Sequence, residues 1–179
     1  MGSTFQTVAD LEATAEEAEA LGARVGAWLV GEGIAAPERE LSAPGRTVYL
    51  PGPRWSHVTD ERRYLESDGL AVVTGRSVFF GSPATGGSPV CPYCATVVSG
   101  RESAFSAAMD AWWETGAADV HCPPCGREVP LPAWEWENDF LAFVHLGIEH
   151  WNGPPLRAGF IAELTAVLGH RTRLLAGKI

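Results

Sequence analysis

The sequence predicts an α/β (α+β) protein. It reads as a mixed sheet with one long N-terminal helix and a C-terminal strand–helix–strand, into which a cysteine-bearing segment is inserted. Three observations carry this reading. Apolar and small residues recur at helical spacing near the start, and β-branched and aromatic runs bounded by Pro and Gly follow. Two Cys-x-x-Cys pairs then stand downstream of a loop rich in Gly, Pro and Ser. With 179 residues and 46% hydrophobic content, the chain is long enough to bury a substantial core.

The first element is a stripe of Val8, Leu11, Ala15, Ala18, Gly22, Val25 and Leu29 at steps of three and four. Thr7 and Asp10 offer a capping box at its start, and Gly31 and Gly33 end it. Its small positions favour packing on a sheet over a coiled-coil seam. "RTVYL" and "GLAVVTGRSVFF" read as strands, and residues 51–68 as a long loop with room for a short helix. "GSPATGGSP" (Gly81–Pro89) is a flexible entry to something separate; no Gly-Lys-Ser/Thr follows, so it is no phosphate loop. "SAFSAAMDAWWETG" is helical in composition with a glycine stop, and "EVPLPAWEW" alternates like an edge strand. "DFLAFVHLGIEHW" favours a strand. The last unit begins with Pro155 at a first helical position, puts Leu156, Phe160, Leu164 and Val167 on one face, caps at Gly169 and leaves as the strand "RTRLLA". The expected organisation is an α/β domain in two parts, residues 1–88 and 131–179, around an insertion at 89–130.

The net charge is −9 and unevenly spread. Residues 1–40 carry −6 and the tail from Arg157 carries +3, which either pairs the two ends or leaves two solvated faces. No run of about 18 apolar residues is present, as a membrane helix requires. The N-terminal stretch lacks the basic and apolar blocks of a signal peptide. Gln6 also stands where a myristoylation signal wants Ser or Thr. The expected compartment is therefore a reducing cytoplasm, where four cysteines serve as metal ligands more readily than as disulfides.

Cys91-Pro92-Tyr93-Cys94 resembles the active-site tetrad of glutaredoxins, but the likeness covers four residues. In thioredoxin-like proteins the pair follows a buried strand and opens a helix whose dipole activates the first thiol. Here a Gly/Pro/Ser loop precedes Cys91 and the strand-like "ATVVSG" follows Cys94. With "HCPPCG" the arrangement becomes Cys91-x2-Cys94-x27-Cys122-x2-Cys125, which resembles the two knuckles of a zinc ribbon. Two-residue spacing lets both sulfurs of a knuckle face one ion at about 2.3 Å, and four thiolates close a tetrahedron. Gly126 supplies a permissive backbone after the second knuckle, where Ala95 departs from that form after the first. The segment Ser103–Gly116 accounts for the long spacer. A closed four-cysteine site builds structure and leaves no coordination position for catalysis. The tail "WNGPPLRAGFIAELTAVLGHRTRLLAGKI" is similar to the ends of uncharacterised bacterial zinc-ribbon proteins, a resemblance that implies no activity.

Other constellations are weaker. His121 adjoins Cys122, but both knuckles are complete without it. His145, Glu149 and His150 in "HLGIEH" fit no metalloprotease spacing, and a strand would hold His145 and Glu149 about 13 Å apart. Ser56-His57 has no evident third partner. The stretch from Cys91 to Pro130 carries −3 before any thiolate is counted, which disfavours a nucleic-acid partner. Five of the seven tryptophans lie between Trp112 and Trp151. They form either a core where ribbon and sheet meet or an exposed patch that docks another protein or a second copy. The expected function is a non-enzymatic, zinc-stabilised protein–protein interaction or regulatory module with structural zinc on Cys91, Cys94, Cys122 and Cys125. The alternative is a thiol–disulfide oxidoreductase using Cys91 and Cys94, and a weaker rival is a hydrolase using His145 and Glu149.

Overall fold

A computed structural model describes residues 2–41, 45–59, 69–99 and 102–179. Its class is α+β, with three helices and a six-stranded sheet. Strand β1 (Thr4–Asp10) lies inside the sheet, between the C-terminal strand β10 (Thr172–Lys178) and β9 (Leu141–Trp151). Beyond β9 come β4 (Leu70–Phe80), β3 (Thr47–Pro51) and the edge strand β2 (Ala35–Leu41). A mixed sheet was expected, yet every ladder in it is antiparallel.

The N-terminal stripe divides. Helix α1 spans Ala18–Gly31 and buries Ala18, Leu21, Gly22, Val25, Gly26 and Leu29, whereas Val8 belongs to β1. Thr4, Phe5, Thr7 and Val8 suit a pleated surface, and ladders on both sides outweigh the local helical period. Asp10 ends the strand by accepting the backbone N–H groups of Glu12 and Ala13. The reciprocal capping bonds join Thr14 and Glu17, one turn before α1, where Thr7 and Asp10 were expected to form them.

Strand β2 was not anticipated. "AAPEREL" carries one proline and three charged residues, which an edge strand tolerates and which discourage pairing with other chains. "EVPLPAWEW" breaks into β7 (Glu128–Pro130), a 3-10 turn at Leu131–Ala133 and β8 (Glu135–Trp136). The final helix, α3 (Ala158–Leu168), starts three residues after Pro155, with Arg157 as N-cap and Gly169 closing it in the left-handed conformation. In the loop after β3 a 3-10 turn forms at Trp55–His57; residues 60–68 lie outside the described set. No described helix is long and apolar enough to cross a membrane.

Helices α1 and α3 cover one face of the sheet. Val25, Leu29, Phe160 and Leu164 meet Val8, Leu146, Ile148 and Leu70 in the main core. The cysteine-bearing segment interrupts the hairpin β4–β9 at its tip, where Phe80 pairs with Leu141. The β4–β9 ladder runs up to this pair, and the inserted segment lies beyond it. The hairpin bends where its register shifts between Thr74 and Ser77, with Gly75 at φ 91°. Beyond the bend its side chains alternate between two partners. Phe79, Ala142 and Val144 join Ala9 and Leu175 against the sheet, while Val78 and Phe143 join the inserted segment.

Candidate metal centre

Two matched turns hold the cysteines. In the first, the Ala95 N–H donates to the Cys91 carbonyl at 2.9 Å and the Cys91 N–H to the Thr96 carbonyl at 3.1 Å. In the second, Gly126 N–H donates to the Cys122 carbonyl and Cys122 N–H to the Arg127 carbonyl, both at 2.8 Å. Short ladders support each turn. β5 (Pro89–Val90) pairs with β8 and bridges to Val97, and β6 (Asp119–His121) pairs with β7. Ala95 and Gly126 both take positive φ, 55° and 71°, because the chain must reverse to bring each second cysteine round.

The turns face each other. The Cys91 and Cys125 Sγ atoms lie 3.8 Å apart, as do those of Cys94 and Cys122, and all four lie within 4.8 Å of one another. Four sulfurs at 2.3 Å from one ion in a tetrahedron are separated by about 3.8 Å, so the cluster has the dimensions of a metal site. All four cysteines are free of disulfides. Helix α2 (Glu102–Thr115) fills the long spacer, as the composition indicated.

Each turn contributes one buried sulfur, from Cys91 and Cys122, and one partly exposed, from Cys94 and Cys125. The buried pair packs into the aromatic cluster of the insertion. Burial pushes the Cys122 thiol up to about 12, whereas hydrogen bonding from Thr96 draws Cys94 down to about 6. Burial thus disfavours the Cys122 thiolate unless a cation compensates it. Across the turns, the Arg127 guanidinium lies over the Tyr93 ring, 4.5 Å from its centre, a contact that sequence reasoning missed.

The other candidates separate. His121 is exposed and pairs with Glu128 at 3.1 Å, outside the sulfur cluster. His145 stacks on Trp112, with burial and then Arg76 holding its pKa below the ordinary imidazole value. Glu149 pairs with Arg46 at 3.2 Å, and His150 Nδ1 lies 3.0 Å from the Gly69 carbonyl oxygen. His57 pairs with Glu163, not with Ser56. Among the described residues the four cysteines are the one group of three or more metal-binding side chains drawn together. The first pair also lacks the setting of a redox tetrad, since α2 begins only at Glu102, eight residues after Cys94.

The tryptophans resolve in favour of a core. Trp112, Trp134 and Trp136 are buried around Phe105 and Phe143, while Trp113 is 59% exposed. No protein-family model matches the chain, and no curated protein or solved structure shows significant similarity to it.

Proposed function

We propose that the chain is a zinc-stabilised interaction module of the cytoplasm, in which one structural zinc on Cys91, Cys94, Cys122 and Cys125 holds a ribbon that presents a binding surface to another protein or a second copy. The carrying observation is the set of four Sγ atoms within 4.8 Å on two matched turns. All-sulfur tetrahedral geometry selects zinc or iron, and a closed zinc site supplies folding energy and no reaction. Trp113 and Tyr93, exposed at 59% and 56%, are the large aromatic groups such a surface would use as anchors.

Native mass spectrometry and elemental analysis of protein purified without added metal test the reading. One zinc per chain is expected, and iron or a metal-free folded protein with a Cys91–Cys94 disulfide would overturn it. The latter result, with disulfide exchange lost in Cys91→Ser, would establish the oxidoreductase instead. Trp113→Ala should weaken self-association or partner capture by roughly 2 kcal/mol or more while the zinc stays bound.

A further inference from the structure

The sulfur cluster has an inner and an outer side. Cys91 and Cys122 are fully buried against the aromatic cluster of the insertion, whereas Cys94 and Cys125 are only half-buried. Each 3.8 Å contact joins an outer cysteine to an inner one of the opposite turn, Cys94 to Cys122 and Cys125 to Cys91. The Arg127 guanidinium over the Tyr93 ring spans the same two turns. A thiolate on the accessible side of a site, with a second sulfur in reach, is what two-electron oxidants convert to a disulfide. In a reducing compartment such bonds are transient and serve redox sensing.

We propose, resting on the zinc reading above, that the cluster is a hydroperoxide-responsive switch. Oxidation begins at Cys94 or Cys125, passes to the inner sulfur of the opposite turn and releases the metal. The Cys94 thiolate attacks the peroxide: an S–O bond forms, the O–O bond breaks, and an alcohol or water leaves with one proton. The Cys122 thiolate then attacks the Cys94 sulfur. Their S–S bond forms, the S–O bond breaks, and hydroxide leaves as water with a second proton. Two thiolates have lost two electrons and one peroxide has gained them. Each pair closes from 3.8 Å to the roughly 2.05 Å of a disulfide. The first disulfide takes two of the four ligands from the metal site, and the same steps at Cys125 and Cys91 take the rest. Because both disulfides cross between the turns, the knuckles stay face to face without metal, ready for reduction to restore the site.

The test uses the full zinc-loaded chain, hydrogen peroxide as oxidant and a coloured chelator that reports released zinc. Trypsin cuts after Arg76, Arg101 and Arg127, which puts Cys91 and Cys94 on one peptide and Cys122 and Cys125 on the next. Zinc release should follow the peroxide added, with one disulfide formed per peroxide consumed. The two peptides should then stay linked until dithiothreitol is added, and tandem mass spectra should place the links at Cys94–Cys122 and Cys91–Cys125. Limited alkylation of the untreated chain should mark Cys94 and Cys125 before Cys91 and Cys122. Zinc retained in excess peroxide, release with the peptides unlinked or otherwise paired, or inner cysteines alkylated first would each overturn the switch and leave the zinc reading intact. A reduced chain that holds no zinc before any peroxide is added would overturn the zinc reading, and the switch with it.

Discussion

In the larger core, two helices of 14 and 11 residues lie across strands of up to 11 residues, and apolar side chains fill most of the space between, with His150 buried beside Trp55. In the smaller core, the two ladders of the insertion have strands of only two or three residues, and two of its buried residues are cysteines. Ladders that short fix few backbone hydrogen bonds for the entropy they cost. One region thus closes by burial. The other, on the proposed reading, closes by a metal bond, and it leans on the sheet through Val78 and Phe143.

Metal removal should separate the two most widely. Zinc contributes on the order of 10–16 kcal/mol of apparent folding free energy in such modules. Chelation, or Cys122→Ser, should therefore release the amides of β6, β7 and α2 to rapid hydrogen exchange while β1 and β9 stay protected. Simultaneous loss of protection in both regions would mean that they fold as one unit, and the contrast would be gone.

Next in size is the seam between the cores. Trp112 is 1% exposed, packs edge-on against Phe143 and stacks with His145, so it joins α2 to β9. Trp112→Ala should cost about 3–5 kcal/mol in denaturant unfolding. Trp113→Ala, one residue along the same helix, should stay within about 0.5 kcal/mol of wild type. Equal losses would show that a second surface covers Trp113.

The same contrast governs what the sequence made legible. Cysteine spacing announced the cluster, because two Cys-x-x-Cys turns present their sulfurs in pairs that can face each other. Of the long hairpin strands, Leu70–Phe80 was plain from its β-branched and aromatic run, whereas Leu141–Trp151 was ambiguous by period and was favoured as a strand. Thr4–Asp10 was misread because Val8 and Leu11 continue the period of α1 by coincidence, and only the flanking ladders decide. Pairing sense was illegible too, since strands 60 or more residues apart meet through topology that local patterns do not encode. The burial of Trp112, Trp134 and Trp136 required knowing what α2 packs against.

A smaller effect belongs to the sheet alone. Burial holds the Glu149 carboxyl above the usual carboxylate range, with Arg46 pulling it the other way. Since the folded pKa exceeds the unfolded one, folding disfavours the ionised form. Stability from this group is least at neutral pH, rises as pH falls through the folded pKa, and is fully present below the ordinary value of 4.5. The stability of Glu149→Gln relative to wild type should therefore be highest near pH 7 and decline toward pH 4.5, as followed by denaturant midpoints. A difference that stays constant with pH would show that the carboxyl titrates normally.

The smallest effect divides the two knuckles themselves. Their hydrogen bonds match, and both need a residue with positive φ after the second cysteine. Gly126 adopts it freely, with no heavy atom within 4 Å of where a Cβ would stand, whereas Ala95 adopts it against its own Cβ. The left-handed conformation costs a non-glycine residue roughly 1–2 kcal/mol. Glycine's greater freedom in the unfolded chain returns roughly 0.4–1 kcal/mol of that. Ala95→Gly should accordingly stabilise the ribbon by about 0.5–1 kcal/mol, and Gly126→Ala should destabilise it by a similar amount, both read from the chelator concentration that strips half the zinc. The double exchange, which moves the glycine from one knuckle to the other, should come out near neutral if the turns are equivalent supports for one ion. A large net loss would show that the second knuckle bears more of the fold than its twin.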